Sequence, residues 1–182
     1  RPVFVDVLDD QNINPELIEK KITSKTKVIM PVHLYGSAAK ILEIKKLIKG
    51  KNIFLIDDCS QAHGAFISEN KNKKKMIGSI GDISCFSLYP GKNLGAYGDA
   101  GIITTNNKKL YKIIKNLRNL GSDKKFIHTR VGVNSRLDTM QAIILNLKLK
   151  ELKKNNDKRR KIAKIYSEQI NNQYVSKLNY SK

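Results

Sequence analysis

Short β-rich runs alternate with segments of helical periodicity along most of this chain, and this alternation constrains the fold more than any other feature. The strand-like runs are Pro2–Val7, Lys27–Pro31, Asn52–Asp57, Ile83–Leu88 and Ala100–Thr105. Several of them are almost continuously apolar, which is typical of strands buried on both faces of a sheet. The alternation predicts an α/β fold with a mainly parallel sheet flanked by helices.

Local signals predict three helices in this part of the chain. The segment Asn14–Glu16 combines a capping residue, a proline suited to the first helical position and an acidic residue at the positive end of the helix dipole. Two further helices are predicted over Ala38–Lys49 and Lys108–Leu120, and Gly121 is expected to end the second of them.

The pattern changes after Asp138. Apolar residues between Met140 and Leu152 lie close to helical spacing, and another helix is predicted over about Asp157–Ile170. The polar stretch Lys153–Asp157 predicts a break or a solvated surface between the two helices.

We therefore expect a sheet domain over residues 1–135 and a helical segment over residues 136–182 that leads toward a second, smaller domain. Arg1 opens directly on a strand-like run, so no signal peptide is predicted, and we expect the domain to be incomplete at both ends. No apolar stretch approaches the roughly 20 residues of a membrane span. Cys59 and Cys85 lack CxxC spacing, which favours reduced thiols in a cytoplasm over a disulfide or a metal site.

The formal net charge of +19 raises the alternative of nucleic-acid binding. However, the lysines are spread along helical faces and in loops such as Asn70–Lys75, without interleaved aromatic residues. No RNP, KH or zinc-finger spacing occurs. An anionic sugar nucleotide fits a basic chain equally well, so charge alone does not decide between these partners.

Two distinctive segments fall at the carboxyl ends of predicted strands, where ligands gather in parallel α/β sheets. They are Ile56–Ala65 and Phe86–Gly95. Each has an ordinary explanation when taken alone, because a carboxylate at a strand end often caps a helix and a lysine in a glycine-rich loop is usually solvated. Together they offer an amine nucleophile, a carboxylate and hydrogen-bond donors that could bind a phosphate group.

Four segments in order resemble the DegT/DnrJ/EryC1/StrS family of sugar aminotransferases, which are fold-type I pyridoxal-phosphate enzymes. These segments are Pro31–Gly36, Asp57–Ala65, Phe86–Gly95 and Gly132–Asp138. The resemblance runs from about Arg1 to the region of Arg160. It implies an aspartate-aminotransferase-like large domain and pyridoxal 5'-phosphate as the cofactor.

By this resemblance, Lys92 matches the lysine that forms a Schiff base with the cofactor, a role that an amine fills because it condenses with an aldehyde. Asp58 matches the aspartate that pairs with the pyridine nitrogen and keeps the ring protonated. Asp57 stands where the family usually has glutamate and remains the rival candidate. Gln61 matches the residue that contacts the phenolic oxygen of the cofactor.

Two further matches concern the phosphate group. Ser87 matches a phosphate-binding hydroxyl, and Asn134 matches a residue that reaches the phosphate from the partner subunit, which implies a homodimer with shared active sites. His63 is expected to have a packing or hydrogen-bonding role. His33 and Tyr35 lie at another strand end and are candidates to line the substrate pocket.

The function implied by the resemblance is transfer of an amino group, from glutamate, to a keto group of a nucleotide-linked sugar in polysaccharide biosynthesis. The motifs look most like members that act on 3-keto sugars of dTDP, and a 4-keto sugar aminotransferase is the alternative within the family. Lys92 argues against the dehydratase relatives, in which histidine replaces this lysine. A non-catalytic regulatory or nucleic-acid-binding protein is the alternative from another class. The leading interpretation involves no metal, membrane or nucleic acid, and this chain alone is not expected to be fully active.

Overall fold

A computed structural model describes residues 1–70 and 73–178 of the protein. Four strands form its central sheet. The strands of the chain are β1 (Val28–Ile29), β2 (Phe54–Asp58), β3 (Phe66–Asn70), β4 (Lys73–Met76), β5 (Ile83–Ser87), β6 (Gly101–Thr104), β7 (Ser122–Lys124) and β8 (Ile127–His128). The helices are α1 (Pro15–Lys21), α2 (Ile41–Leu47), α3 (Lys108–Leu117) and α4 (Thr139–Gln169). A short 3-10 turn covers Leu34–Gly36.

The central sheet has the order β1-β2-β5-β6. Strand β2 pairs in parallel with β1 and with β5, and β6 runs antiparallel to β5. The predicted mainly parallel sheet is confirmed, and the antiparallel fourth strand is an addition to it. Residues 88–100 contain no helix, and an antiparallel return to Gly101 opposite Ser87 needs no helical crossover.

The main apolar core lies where α1 and α2 cover one face of this sheet. Ile41 and Ile44, one turn apart on α2, are completely buried, and Ile18 of α1 packs with them against Leu55 of β2. Burial of each such side chain contributes about 1.5–3 kcal/mol. Asn14 caps α1 as predicted, since its side chain accepts a hydrogen bond from the Glu16 amide.

The predicted strand Pro2–Val7 is wrong, because this segment makes only an isolated bridge between Val7 and Ile13. Phe4 is 83% exposed and Val3 is 66% exposed. A strand needs a paired backbone, and no other part of the described chain supplies a ladder for this segment.

Two helix boundaries differ from the predictions. α2 is shorter than Ala38–Lys49, and α3 ends at Leu117 rather than at Leu120. After α3, both Leu120 and Gly121 adopt left-handed conformations, with φ of 61° and 69°. Gly121 therefore lies in the turn that follows the helix and does not directly end it.

Of the two alternatives for Lys153–Asp157, the break is wrong, because α4 continues through it without interruption. The solvated surface is confirmed for residues 153–155, which are exposed, but not for the buried Asn156. The stretch contains neither proline nor glycine, and its polar residues are tolerated on a helix surface. Lys153 and Asp157 form an ion pair across one turn, with 3.0 Å between Nζ and Oδ2.

The hairpin formed by β3 and β4 was not predicted, and it includes part of the lysine-rich segment Asn70–Lys75, of which residues 71 and 72 lie outside the described residues. Residues 179–182 of the predicted helical segment 136–182 are also outside them. The division into two domains stays a prediction. Among the described residues, no helix combines the length and the apolar character that crossing a membrane requires.

Candidate active site

Two loops meet at the carboxyl ends of β2 and β5. The register pairs Asp58 with Cys85, so both parallel strands end at the same edge of the sheet. The loop after β2 is tied to β5 because the Cys59 amide donates to the Cys85 carbonyl at 2.8 Å. The two sequence segments that carry the predicted site therefore lie side by side.

Strand geometry separates the two aspartates at the end of β2. Asp57 is completely buried, and its Oδ2 accepts hydrogen bonds from the Ser84 hydroxyl at 2.9 Å and the Gly81 amide at 3.2 Å. Successive side chains of a strand point to opposite faces, so Asp58 lies on the other face, with its register partner Cys85. Asp58 is half-buried, and its Oδ1 accepts from the Ser60 amide at 2.9 Å. Of the two rivals, only Asp58 is open to a ligand.

Asp57 instead belongs to a buried polar cluster with His33 and Cys59, whose side-chain N, O and S atoms lie within 4.8 Å of one another. His33 Nδ1 accepts from the Ala39 amide at 3.0 Å, and burial lowers the pKa of His33 to about 4, so its ring is neutral with the proton on Nε2. Burial raises the pKa of the Cys59 thiol to about 12. The expectation that His33 lines a substrate pocket is wrong, since its side chain is completely buried.

The Asp57→Asn variant is expected to change the pH dependence of stability. Burial raises the pKa of Asp57 from 3.8 to about 6, so its stabilising contribution is complete below about pH 4 and is lost as the pH rises through 6. The free energy of unfolding of the wild type decreases by roughly 3 kcal/mol over this pH range. Asparagine does not titrate, and its oxygen can accept the same two hydrogen bonds. Urea unfolding between pH 4 and 7 should show the variant gaining stability relative to the wild type as the pH rises, and two parallel curves would contradict this assignment.

Gln61 links the loop after β2 to the 3-10 turn. Its Oε1 accepts a hydrogen bond from the Tyr35 amide at 2.7 Å, and Tyr35 holds a left-handed conformation with φ of 55°. The side-chain NH₂ of Gln61 is the group suited to donate to a phenolic oxygen. Tyr35 itself is 61% exposed.

Ser87 and Lys92 bracket the turn that follows β5. The Lys92 amide donates to the Tyr89 carbonyl at 2.9 Å, and Ser87 Oγ accepts from the Tyr89 amide at 3.4 Å. Nearby, His63 Nε2 donates to the Ser87 carbonyl at 2.8 Å, and its ring packs against Phe86. Burial and the positive charge of Lys92 lower the pKa of His63. His63 therefore packs and hydrogen-bonds as expected.

Asn134 lies in the segment between β8 and α4, and not in the two loops that carry the other predicted residues. It is exposed, bridges to Asn119 beyond the end of α3, and its Oδ1 accepts from Arg136 Nε at 2.9 Å. It lines a broad, open depression that also includes Cys85 and Phe86 but none of the other four predicted site residues. Asp58, Gln61, Ser87 and Lys92 lie at or just beyond the carboxyl ends of β2 and β5, whereas Asn134 lies between β8 and α4.

The sequence reasoning missed the polar residues through which α4 contacts the loop of Lys92. Gln141 Oε1 accepts from the Tyr97 amide at 2.8 Å, and Lys148 Nζ donates to the Gly95 carbonyl at 2.7 Å. Asn156 is buried four residues after Leu152, on the face of α4 that packs inward. An uninterrupted helical pattern through residue 157 would have placed Asn156 on that face.

Comparisons with known proteins identify the family of this chain. A sequence profile described as the DegT/DnrJ/EryC1/StrS aminotransferase family matches residues 1–179. The dTDP-3-amino-3,6-dideoxy-alpha-D-galactopyranose transaminase of Aneurinibacillus thermoaerophilus is 49% identical over 175 residues, which are 96% of this chain and 47% of that protein. A UDP-N-acetyl-3-dehydro-alpha-D-glucosamine 3-aminotransferase of Acidithiobacillus ferrooxidans is 44% identical over 171 residues, 93% of this chain and 45% of that protein.

A solved structure is also similar. S. venezuelae DesV in complex with a ketimine intermediate matches with a TM-score of 0.85 and 38% identity over 92% of this chain and 44% of that one. The chain thus spans less than half the length of each of these three proteins. The predicted aspartate-aminotransferase-like fold is confirmed. On its sequence and its fold, the chain belongs to the DegT/DnrJ/EryC1/StrS aminotransferase family.

Proposed function

We propose that the protein is a pyridoxal-phosphate-dependent aminotransferase that moves an amino group from glutamate to a keto group of a nucleotide-linked sugar. One observation carries the proposal. Asp58 and Ser87 end two adjacent parallel strands and Lys92 lies in the turn after the second, so a carboxylate, a hydroxyl and an amine occur at one edge of the sheet. This edge is where open α/β sheets bind ligands.

The donor set fits this cofactor. Pyridoxal phosphate supplies an aldehyde that condenses with amines and a ring that delocalises electrons. Lys92 would hold it covalently, and Asp58, on the open face, would pair with the ring nitrogen. The hydroxyl of Ser87 would bind phosphate, and the amide of Gln61 would donate to the phenolic oxygen. Asp57 cannot compete for the ring, because its carboxylate is buried and already accepts two hydrogen bonds.

Two side chains have direct roles in the proposed reaction. Lys92 Nζ would also move a proton to and from the substrate carbon. The Asp58 carboxylate would keep a proton on the ring nitrogen, because an adjacent anion favours the charged ring. Lys92 is half-buried, and its positive charge lies close enough to His63 to contribute to the lowered pKa of that ring.

The favoured substrate is a 3-keto sugar linked to a nucleoside diphosphate, such as a dTDP-3-keto-6-deoxyhexose. The names of the two relatives above both place the amino group at C3, one on a dTDP sugar and one on a UDP sugar. Both nucleotides carry an anionic diphosphate, which suits a chain with a net charge of +19. The 4-keto alternative has no comparable support from these two names.

We further propose a homodimer in which Asn134 completes the site of the partner subunit. Asn134 is exposed, and it lines an open depression that includes none of the other four predicted site residues, which leaves it available to a partner subunit. The Asn134→Ala variant then offers a simple test, because it should weaken the retention of cofactor without changing the fold.

The substrate proposal is tested with the cofactor-loaded protein and a matched pair of dTDP-sugars that carry the keto group at C3 or at C4. Formation of 2-oxoglutarate from glutamate is followed with each of them. We expect turnover with the 3-keto sugar and at least about 10-fold lower kcat/KM with the 4-keto sugar, since misplacement of the reacting carbon is costly. A preference for the 4-keto sugar would contradict the proposed substrate. If 2-oxoglutarate formed with neither sugar, the proposed reaction would be contradicted.

A further inference from the structure

We propose that Asn156 of α4 is a positioning residue that fixes the turn of Lys92 against the loop that follows Asp58. The inference rests on the proposed function, in which these two side chains bind the same cofactor. Asn156 would touch neither the cofactor nor the substrate. It would act through its hydrogen bonds to both loops.

Asn156 uses both ends of its side-chain amide between these two loops. Its Nδ2 donates to the His63 carbonyl at 2.8 Å, in the loop after β2. Its Oδ1 accepts from Asn93 Nδ2 at 3.0 Å, and Asn93 directly follows Lys92. Asn156 is only 9% exposed, so water does not readily replace either partner.

His63 extends this link to the end of β5. Its carbonyl accepts from Asn156, and its ring Nε2 donates to the carbonyl of Ser87. One asparagine therefore joins three parts of the proposed site, namely the lysine turn, the loop after Asp58 and the end of the strand that carries Ser87.

The backbone at Gly64 shows how closely α4 approaches this loop. Gly64 has φ of +78°, and a Cβ built there would lie 2.9 Å from Asn156 Nδ2. The absence of a side chain at this position leaves the room in which Asn156 reaches the neighbouring His63 carbonyl.

Different residues of α4 make its apolar contacts and its hydrogen bonds to the loop of Lys92. Leu145 and Leu152 pack with a small cluster formed by Leu88, Leu94 and Ala96, which attaches the helix to the loop. Such contacts are non-directional. The hydrogen bonds of Asn156 are directional, and they act one residue away from Lys92.

The contact of Gln141 with the Tyr97 amide provides a matched control. It joins the same helix to the same loop at 2.8 Å, but five residues beyond Lys92. A role that is only structural should make the Gln141→Ala and Asn156→Ala variants behave alike. Positioning predicts that they differ.

The test compares Asn156→Ala, Asn156→Asp and Gln141→Ala in the full protein. The rate of cofactor attachment is followed by absorbance, and the attached residue is identified by borohydride reduction and peptide mass. We expect both Asn156 variants to attach cofactor to Lys92 about 10-fold more slowly and to lose about 10- to 100-fold in kcat, with KM for the sugar within about 3-fold. Asn156→Asp keeps an acceptor for Asn93 but places a carboxylate against the His63 carbonyl. Gln141→Ala should stay within about 3-fold of the wild type in every readout.

The Asn93→Ala variant covers the case in which changes on α4 prevent folding, because it removes the same hydrogen bond from the half-buried loop side. It should slow attachment at Lys92 as Asn156→Ala does. The double variant should be no slower than the more affected single variant, since each removes the same interaction. Full additivity of the two changes would overturn the proposal.

Hydrogen exchange separates this inference from the proposed function. The Lys92 amide, bonded to the Tyr89 carbonyl, should exchange at least about 10-fold faster in Asn156→Ala than in Gln141→Ala, with or without cofactor. Equal exchange in these two variants, or attachment and kcat at wild-type levels, would overturn the role of Asn156. Failure of the wild type itself to attach cofactor would instead overturn the proposed function, and the exchange result would still stand.

Discussion

Replacing Lys92 with alanine is expected to abolish covalent attachment of pyridoxal phosphate and to reduce transamination by about 10⁴-fold or more. General acid–base catalysis alone contributes about 10²–10⁴-fold, and the variant also loses the nucleophile that binds the cofactor. The fold should persist, because the hydrogen bond of Lys92 described above comes from its backbone amide. The visible absorption of the lysine-linked cofactor and the mass of the borohydride-reduced peptide measure the loss directly.

Lys112→Ala is a matched control for this experiment, since it removes the same charge from an exposed position on α3. It should bind cofactor and turn over like the wild type. If the protein instead uses its basic surface to bind nucleic acid, both variants should bind DNA equally and with a steep salt dependence. A cofactor band that survives in Lys92→Ala would show that another amine forms the bond.

Replacing Asp58 with asparagine is expected to lower kcat by about 10²–10³-fold, the usual cost of removing one electrostatic contact to the reacting group. Asparagine has no charge with which to hold a proton on the ring nitrogen. Its oxygen can still accept from the Ser60 amide, so the end of β2 should keep its conformation. Single-turnover kinetics with glutamate report the effect on the chemical step, and thermal unfolding reports the fold.

Asp57→Asn provides the comparison, because the two aspartates are adjacent in sequence but face opposite sides of the sheet. We expect Asp57→Asn to change the pH dependence of stability and to leave kcat within a few-fold of the wild type. Asp58→Asn should do the reverse. If Asp57→Asn instead lost the larger share of kcat, the ring nitrogen would have been assigned to the wrong carboxylate.

The sequence was sufficient to predict the parts of the fold that depend on local chemistry. Continuous apolar runs identified β2 and β5, and their parallel pairing put both loops that follow them at one edge of the sheet. The capping signals at Asn14 correctly marked the start of α1. The sequence failed where a strand depends on a distant partner, as with Pro2–Val7. At Lys153–Asp157 its polar composition allowed a break as well as a solvated surface, and only the structure showed one continuous helix.

Within the candidate site, the sequence by itself determined which kinds of group are available and roughly where they lie, because the amine, the carboxylate and the hydroxyl follow strands that are readable from local pattern. The tertiary structure decided how these groups face. It buried Asp57 and left Asp58 open, since the side chains of a strand alternate and only packing chooses the buried face. It also brought Asn156 to Asn93 and His63, which are 63 and 93 residues away in the chain. No local pattern encodes such pairs, because they form only when α4 packs against both loops at once.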